Sequence, residues 1–206
     1  MKKYLTLNLI FYCLLLASAA CSAEAEADLF AQLLQEGGLE FKQPLAFKTL
    51  LVEDDYLLPY EKRLLSADGK LEVRYALRPL ERIEIDYDDP HNSAPAPNDL
   101  FEMLFRSISE AMATDSHPIS QAYLPADAKK EFNAGWASIA VFDIRNETST
   151  RFNQAMLVAI HQNDKADAYT LFLTNDLSQE KSRISALKNS LKFKVFENPI
   201  NQPADK

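Results

Sequence analysis

Two hydrophobic periods run along this chain and divide it into strand-forming and helix-forming stretches. Leu71, Val73, Tyr75 and Leu77 alternate with Glu72, Arg74 and Ala76, the two-residue period of a half-buried strand. Ser66-Ala67-Asp68-Gly69 precedes that strand as a turn, and Gly69 is free to take a positive φ there. A hairpin closed by those four residues sets Arg63 against Glu72 and Glu61 against Arg74 on one side. Leu64 then meets Leu71, and Tyr60 meets Tyr75, on the other. Like meets like in that register, whereas a shift of one residue would set Leu64 against Glu72. The charged quartet therefore predicts cross-strand ion pairs.

The rest of the chain reads the same way. Leu29, Phe30, Leu33 and Leu34 stand at helical spacing before Gly37-Gly38, which predicts a short helix or a leader over 24–38. From Leu39 the texture is β-type, and Ile83, Ile85 and Tyr87 alternate before a Pro-, Asn- and Asp-rich loop from Asp88 to Pro97. Leu100, Phe101, Leu104, Phe105, Ile108, Ala111 and Met112 form one apolar stripe, with Asn98 or Asp99 as cap, and predict a helix laid on a sheet. A short helix follows over Pro125 to Phe132. Three strands are expected next, from Trp136 to Ile144, Phe152 to His161 and Ala166 to Thr174, the last two joined by Gln162-Asn163-Asp164-Lys165. The apolar runs Met156 to Ile160 and Tyr169 to Leu173 belong at the centre of the sheet, covered on both faces. A final helix from Leu177 to Leu191, capped by Asp176 or Ser178, closes the pattern.

This order of elements predicts an α+β protein: an antiparallel β-sheet flanked by helices on both faces, in a single domain after a signal peptide. The apolar helix Leu100 to Met112, the strand pair Met156–Ile160 and Tyr169–Leu173, and the ending Ile184-Ser185-Ala186-Leu187-Lys188-Asn189-Ser190-Leu191-Lys192-Phe193 resemble the α/β/α sandwich of the PsbP and DcrB type. The resemblance covers most of the chain after Leu39 and is one of architecture. It implies a small envelope or organelle-lumen protein that binds other proteins rather than catalysing a reaction.

The N-terminus changes the picture of where the protein works. Lys2 and Lys3 precede an apolar run from Leu9 to Ala17 and the small-residue tract Ser18-Ala19-Ala20-Cys21-Ser22-Ala23, the layout of a secretory signal peptide over 1–23. The run is about half the ~20 apolar residues of a spanning helix. Ser18-Ala19-Ala20-Cys21 looks like a bacterial lipoprotein box that would lipidate Cys21, although Ser18 stands where the box has an aliphatic residue. Cleavage after Ala19 or Ala23 satisfies the small-x-small rule equally. Either route places the domain, 39–196 with a polar tail over 197–206, in the periplasm, outside the cell or on the outer membrane. Cys13 and Cys21 are the only cysteines, so the folded domain has no disulfide, thiol nucleophile or thiolate metal ligand.

Charge narrows the partners. Loss of Lys2 and Lys3 with the leader leaves 20 basic against 30 acidic residues, a net of −10, which repels nucleic acid and anionic lipid. Four scattered glycines build no phosphate-cradling loop, and neither G-x-S-x-G nor H-E-x-x-H occurs, so no cofactor is expected. Asp86, Asp88, Asp89 and His91 gather oxygens and one imidazole within six residues, either a hard-cation site or a solvated acidic turn. Glu61, Arg63, Glu72, Arg74 and Arg78 make a polar sheet face on which an anionic ligand could dock. Trp136 is either a partner anchor or a core plug. His161 ends a buried strand as a cap.

The leading expectation is a non-enzymatic module of the bacterial envelope that binds another envelope protein or a small ligand, with any membrane contact made through a lipid on Cys21. One alternative is a periplasmic hydrolase using Glu61, Asp86 and Asp88, which requires a pocket around them and a desolvated carboxyl. The other is an immunity protein that neutralises a secreted effector, suggested by size, acidity and export.

Overall fold

The computed structural model describes residues 28–195 except 87, 90, 92, 115, 116 and 146–149. The signal peptide over 1–23 with Cys21, the start of the 24–38 leader and the polar tail therefore lie outside the described residues. Residues 28–36 form α1, bringing Phe30 and Leu33 onto the core, and Gly38 at φ 62° turns the chain into the next strand. The strands are β1 (Leu39–Phe41), β2 (Phe47–Leu50), β3 (Lys62–Ser66), β4 (Leu71–Pro79), β5 (Ile119–Ala122), β6 (Trp136–Asp143), β7 (Gln154–Gln162), β8 (Ala166–Thr174) and β9 (Leu191–Phe193). The remaining helices are α2 (Phe101–Met112), α3 (Pro125–Phe132) and α4 (Leu177–Leu187).

Seven strands form an antiparallel sheet in the order β2-β3-β4-β8-β7-β6-β5, and β1 pairs with β9 in a separate ribbon. The near-continuous apolar runs of β7 and β8 do lie at its centre, and β8 is buried at every position. Alternate side chains feed two cores. Val73, Tyr75, Ile160 and Phe172 pack on one face against α1, α3, α4 and the β1–β9 ribbon. Ala76, Leu157, Tyr169 and Leu171 pack on the other against α2 and against Leu58 and Tyr60 of the segment 51–60. The fold is thus α+β, an antiparallel sheet between helical layers in one domain.

Several expectations change in register and extent. The β3–β4 hairpin pairs Arg63 with Arg74, Leu64 with Val73 and Leu65 with Glu72, two residues away from the like-with-like register. A slip of two preserves the faces but exchanges the partners. Its cause is the turn. Ser66 Oγ donates to Asp68 and accepts from Leu71 N–H, and Gly69 at φ 71° returns its N–H to Ser66, so Ser66 stays paired and the loop runs from Ala67 to Lys70. β4 is also not half-buried. Glu72 and Arg74 are each 2% exposed because the segment 51–60 covers them.

Residues 83–86 form no strand. After Pro79 the chain makes a 3-10 turn, Leu80–Arg82, and both edges of β4 are already taken by β3 and β8. Neither Asn98 nor Asp99 caps α2: they lie in a 3-10 turn, Pro97–Asp99, and Asn98 instead exchanges two hydrogen bonds with Asp164 in the β7–β8 loop. α4 is capped by Asp176, which accepts from the amides of Ser178 and Gln179. It stops at Leu187 because Ser190 gives its carbonyl to Lys42 and Leu191 joins the ribbon with β1. β5 is an additional strand on the outer side of β6.

Candidate functional site

The charged residues of β3 and β4 fall on the second face, where they meet the segment 51–60. Glu72 accepts from Arg63 at 2.9 and 3.0 Å and from Arg74 at 2.8 Å, so one carboxylate separates the two guanidiniums that the register sets opposite each other. Arg74 also donates to Asp55 at 2.9 Å, and Arg63 pairs with Glu53 at 2.5 Å. The other oxygen of Asp55 accepts from the amides of Leu57 and Leu58, and the Tyr60 ring lies 4.8 Å from the Arg74 guanidinium. Burial pushes Arg63 down, but its bonds to Glu72 and Glu53 outweigh that and hold it above the ordinary arginine range. Here Arg63, Glu72 and Arg74 use their charges on one another and on the overlying segment.

Glu61 pairs with Arg78, not with Arg74. Its two oxygens accept from the Leu77 amide and from Arg78, each at 2.8 Å, and Arg78 also donates to the carbonyls of Leu77 and Pro59. Burial pushes the Glu61 carboxyl up, ahead of the opposing pull of Arg78. Asp86, Asp88, Asp89 and His91 are exposed in the loop after β4, where Asp86 and Asp89 accept the amides of Asp88 and His91. Among the described residues, no three His, Cys, Asp or Glu side chains come together in a way that could hold a metal ion.

At the far end of the same face, His161 is fully buried with Nδ1 at 2.7 Å from Asp167 and Nε2 at 2.9 Å from Asn163. Phe101 stacks on the imidazole at 4.1 Å and touches Trp136 at 4.9 Å. Both ring nitrogens already face protein oxygens, so the pair seats the start of α2 against the sheet. Trp136 is half-buried and packs against Phe105, and it lines a cleft of about 330 Å³ with Arg106, Ser109, His117 and Ser138.

Among the described residues, β5 is an open and uncharged edge of the sheet. All four of its residues are exposed and none is charged, and Pro118 and Pro125 bound the stretch that contains it. Gln121 accepts from Ser138 Oγ at 3.1 Å through its carbonyl, and Tyr123 N–H donates to Ala137 at 3.0 Å, so these residues turn their backbone toward β6. The antiparallel alternation then turns the N–H and C=O groups of Ser120 and Ala122 outward, where the sheet has no further strand among the described residues. Beneath that edge lies a groove of about 900 Å³, with Tyr123, Leu124 and Ile139 as apolar surface and Asp127, Lys130 and Glu131 as charges. Burial raises the Tyr123 hydroxyl, which accepts from Lys188 at 3.3 Å, and its ring meets Phe132 edge-on. Leu124 and Ile119 are 70% and 81% exposed. A third cleft, about 480 Å³, lies between Leu45, Phe47 and α4, beside an Arg183–Asp68 ion pair. Neither Glu61, Asp86 nor Asp88 lines any of these three clefts.

Of the residues singled out from sequence, the fold joins Arg63, Glu72 and Arg74 in one array, pairs Glu61 with Arg78, and sets Trp136 apart. Sequence reasoning missed Glu53 and Asp55, which complete the array, and it missed β5 with Tyr123 and Leu124. The only early signal for β5 was the short alternation of Ile119 and Gln121 between two prolines.

No protein-family model matches the chain, and no curated protein matches it. Among solved structures the chain is similar to the solution structure of cyanobacterial PsbP (CyanoP) from Synechocystis sp. PCC 6803, with a TM-score of 0.43 and 11% sequence identity over 77% of this chain and 88% of that one. The likeness is one of fold alone.

Proposed function

We propose that this chain is a non-enzymatic binding module of the bacterial envelope that takes an extended protein segment along β5. The observation that carries the reading is the edge itself: four exposed, uncharged residues with two outward backbone pairs, set over a groove of about 900 Å³. Main-chain bonds at such an edge supply affinity, and the groove beneath it reads alternate side chains of the added strand. The internal pairing of Arg63, Glu72, Arg74, Glu61 and Arg78 supports the non-catalytic part, because groups bonded to one another do not present an acid, a base or a nucleophile to a substrate. Export rests on the basic, apolar and small-residue order of the first 23 residues, and intact mass from native membranes reads whether Cys21 carries lipid.

The test is amide hydrogen exchange and NMR titration with a panel of extended peptides of alternating apolar and polar residues. The expected outcome is slowed exchange and shifted signals at Ser120 and Ala122, lost in Ala122→Pro, which removes one outward N–H. Shifts confined to the Trp136 cleft or to the Arg183 cleft would move the site, and no response to any peptide would remove the reading.

A further inference from the structure

We infer that one partner of β5 is a second copy of this chain, joined edge to edge about a two-fold axis through Gln121. The inference rests on the strand-addition reading and names its occupant. Its basis is the self-complementarity of the edge. Only Ser120 and Ala122 turn their backbone outward within β5. In an antiparallel pair centred on Gln121, Ser120 of one copy lies opposite Ala122 of the other, and the two exchange both of their bonds. The operation repeats this on the other side of the axis, giving four main-chain bonds from two residues. The same register sets exposed Ile119 opposite Tyr123 of the second copy, on the face of the groove, and so covers a large apolar residue that a lone chain leaves in water.

Charge permits the pairing. β5 carries no ionic side chain, so two copies bring no like charges together along the ladder. The groove holds both signs, Lys130 with Asp127 and Glu131, so neither sign dominates where two copies meet. The opposite edge lacks this symmetry: in β2, Lys48 is exposed and would place like charges near the axis of any similar pair. A ladder of four residues with its flanking side chains falls at the low end of specific interfaces, below ~1,200 Å². The dimer is therefore a weak one that depends on concentration.

Gln121 pairs with itself at a non-hydrogen-bonded position, where facing Cα atoms lie about 4.5 Å apart. That is within the span of a disulfide. In the full chain with Cys13→Ser and Cys21→Ser, Gln121→Cys is expected to form a covalent dimer under mild oxidation at least tenfold faster than Thr49→Cys, which is also exposed and lies on the opposite edge. Ala122→Pro added to Gln121→Cys should return the rate to that of the control, with an unchanged urea midpoint. Should the proline prevent folding, Ile119→Glu serves in its place. Sedimentation of the cysteine-free chain should show mass rising with concentration.

Equal cross-linking at positions 121 and 49, with a monomer at every concentration, would overturn the inference. If peptides still protect Ser120 and Ala122 in that monomer, only the identity of the partner falls. If neither peptides nor a second copy protect them, the binding reading falls too.

Discussion

The sheet holds two polar regions that meet opposite fates, one on its second face and one along its outer edge. Over β3 and β4 the side chains are strongly charged and almost fully buried, and each charge is answered within 3.0 Å or less by another. At β5 they are uncharged and exposed, and half of the backbone has no partner on the sheet among the described residues. Charge density alone would have pointed to the first region as the site. Burial reverses that inference, because a guanidinium removed from water persists only when carboxylates surround it, and those carboxylates are then unavailable to anything else. Unmet hydrogen-bonding capacity, rather than charge, marks the surface that can take a partner.

The strongest way to break this contrast is Arg74→Ala. It leaves Glu72 and Asp55 as buried carboxylates without their shared cation, and the expected loss is about 3–5 kcal/mol, read as a shift in the urea midpoint. Release of Asp55 should also loosen the segment 51–60, seen as faster amide exchange at Leu57 and Leu58, whose N–H groups Asp55 accepts. A loss below about 1 kcal/mol would mean that water already reaches the array, and the contrast with β5 would collapse.

Glu61→Gln probes the rim of the charged region. Because burial opposes the charged carboxylate more than Arg78 favours it, the neutral amide is expected to cost no more than about 1 kcal/mol at neutral pH. The pH dependence has a definite sign. Burial raises the folded carboxyl above its ordinary value of 4.5, so the folded state holds the proton more tightly than the unfolded chain. That contribution is complete below 4.5 and is lost as pH rises through the raised value. The advantage of the native protein over Glu61→Gln should therefore shrink with rising pH in that window, and an advantage that grows would contradict the burial of Glu61.

The same contrast accounts for what could be read from the chain. β8 was legible to the residue, from Ala166 to Thr174, because long periodic runs with turn residues at both ends leave one solution. The β3–β4 faces were legible too, but the register was not. It depends on whether Ser66 pairs or turns, which is decided by bonds among Ser66, Asp68, Gly69 and Leu71 rather than by hydrophobicity. Asp55 belongs to a segment with no period, and its meeting with Arg74, 19 positions along, is a tertiary event. β5 has four residues, too few to establish a two-residue period against the two prolines around it.

Smaller effects sharpen the open side of the comparison. Ser138→Ala removes the buried hydroxyl that donates to the Gln121 carbonyl and holds β5 against β6. The expected cost is about 1 kcal/mol, with faster exchange at Tyr123 N–H, the next bond along the same ladder. Ile119→Lys should cost least of all, within about 0.5 kcal/mol, because a side chain that is 81% exposed loses no packing when it becomes a cation. Its effect should appear elsewhere. A lysine on each of two abutting edges meets a new apolar and aromatic neighbour and carries its charge out of water, so self-association should weaken while the urea midpoint stays put. A fall in the midpoint comparable to that of Ser138→Ala would show instead that Ile119 is already covered in the single chain, and that the edge is closed.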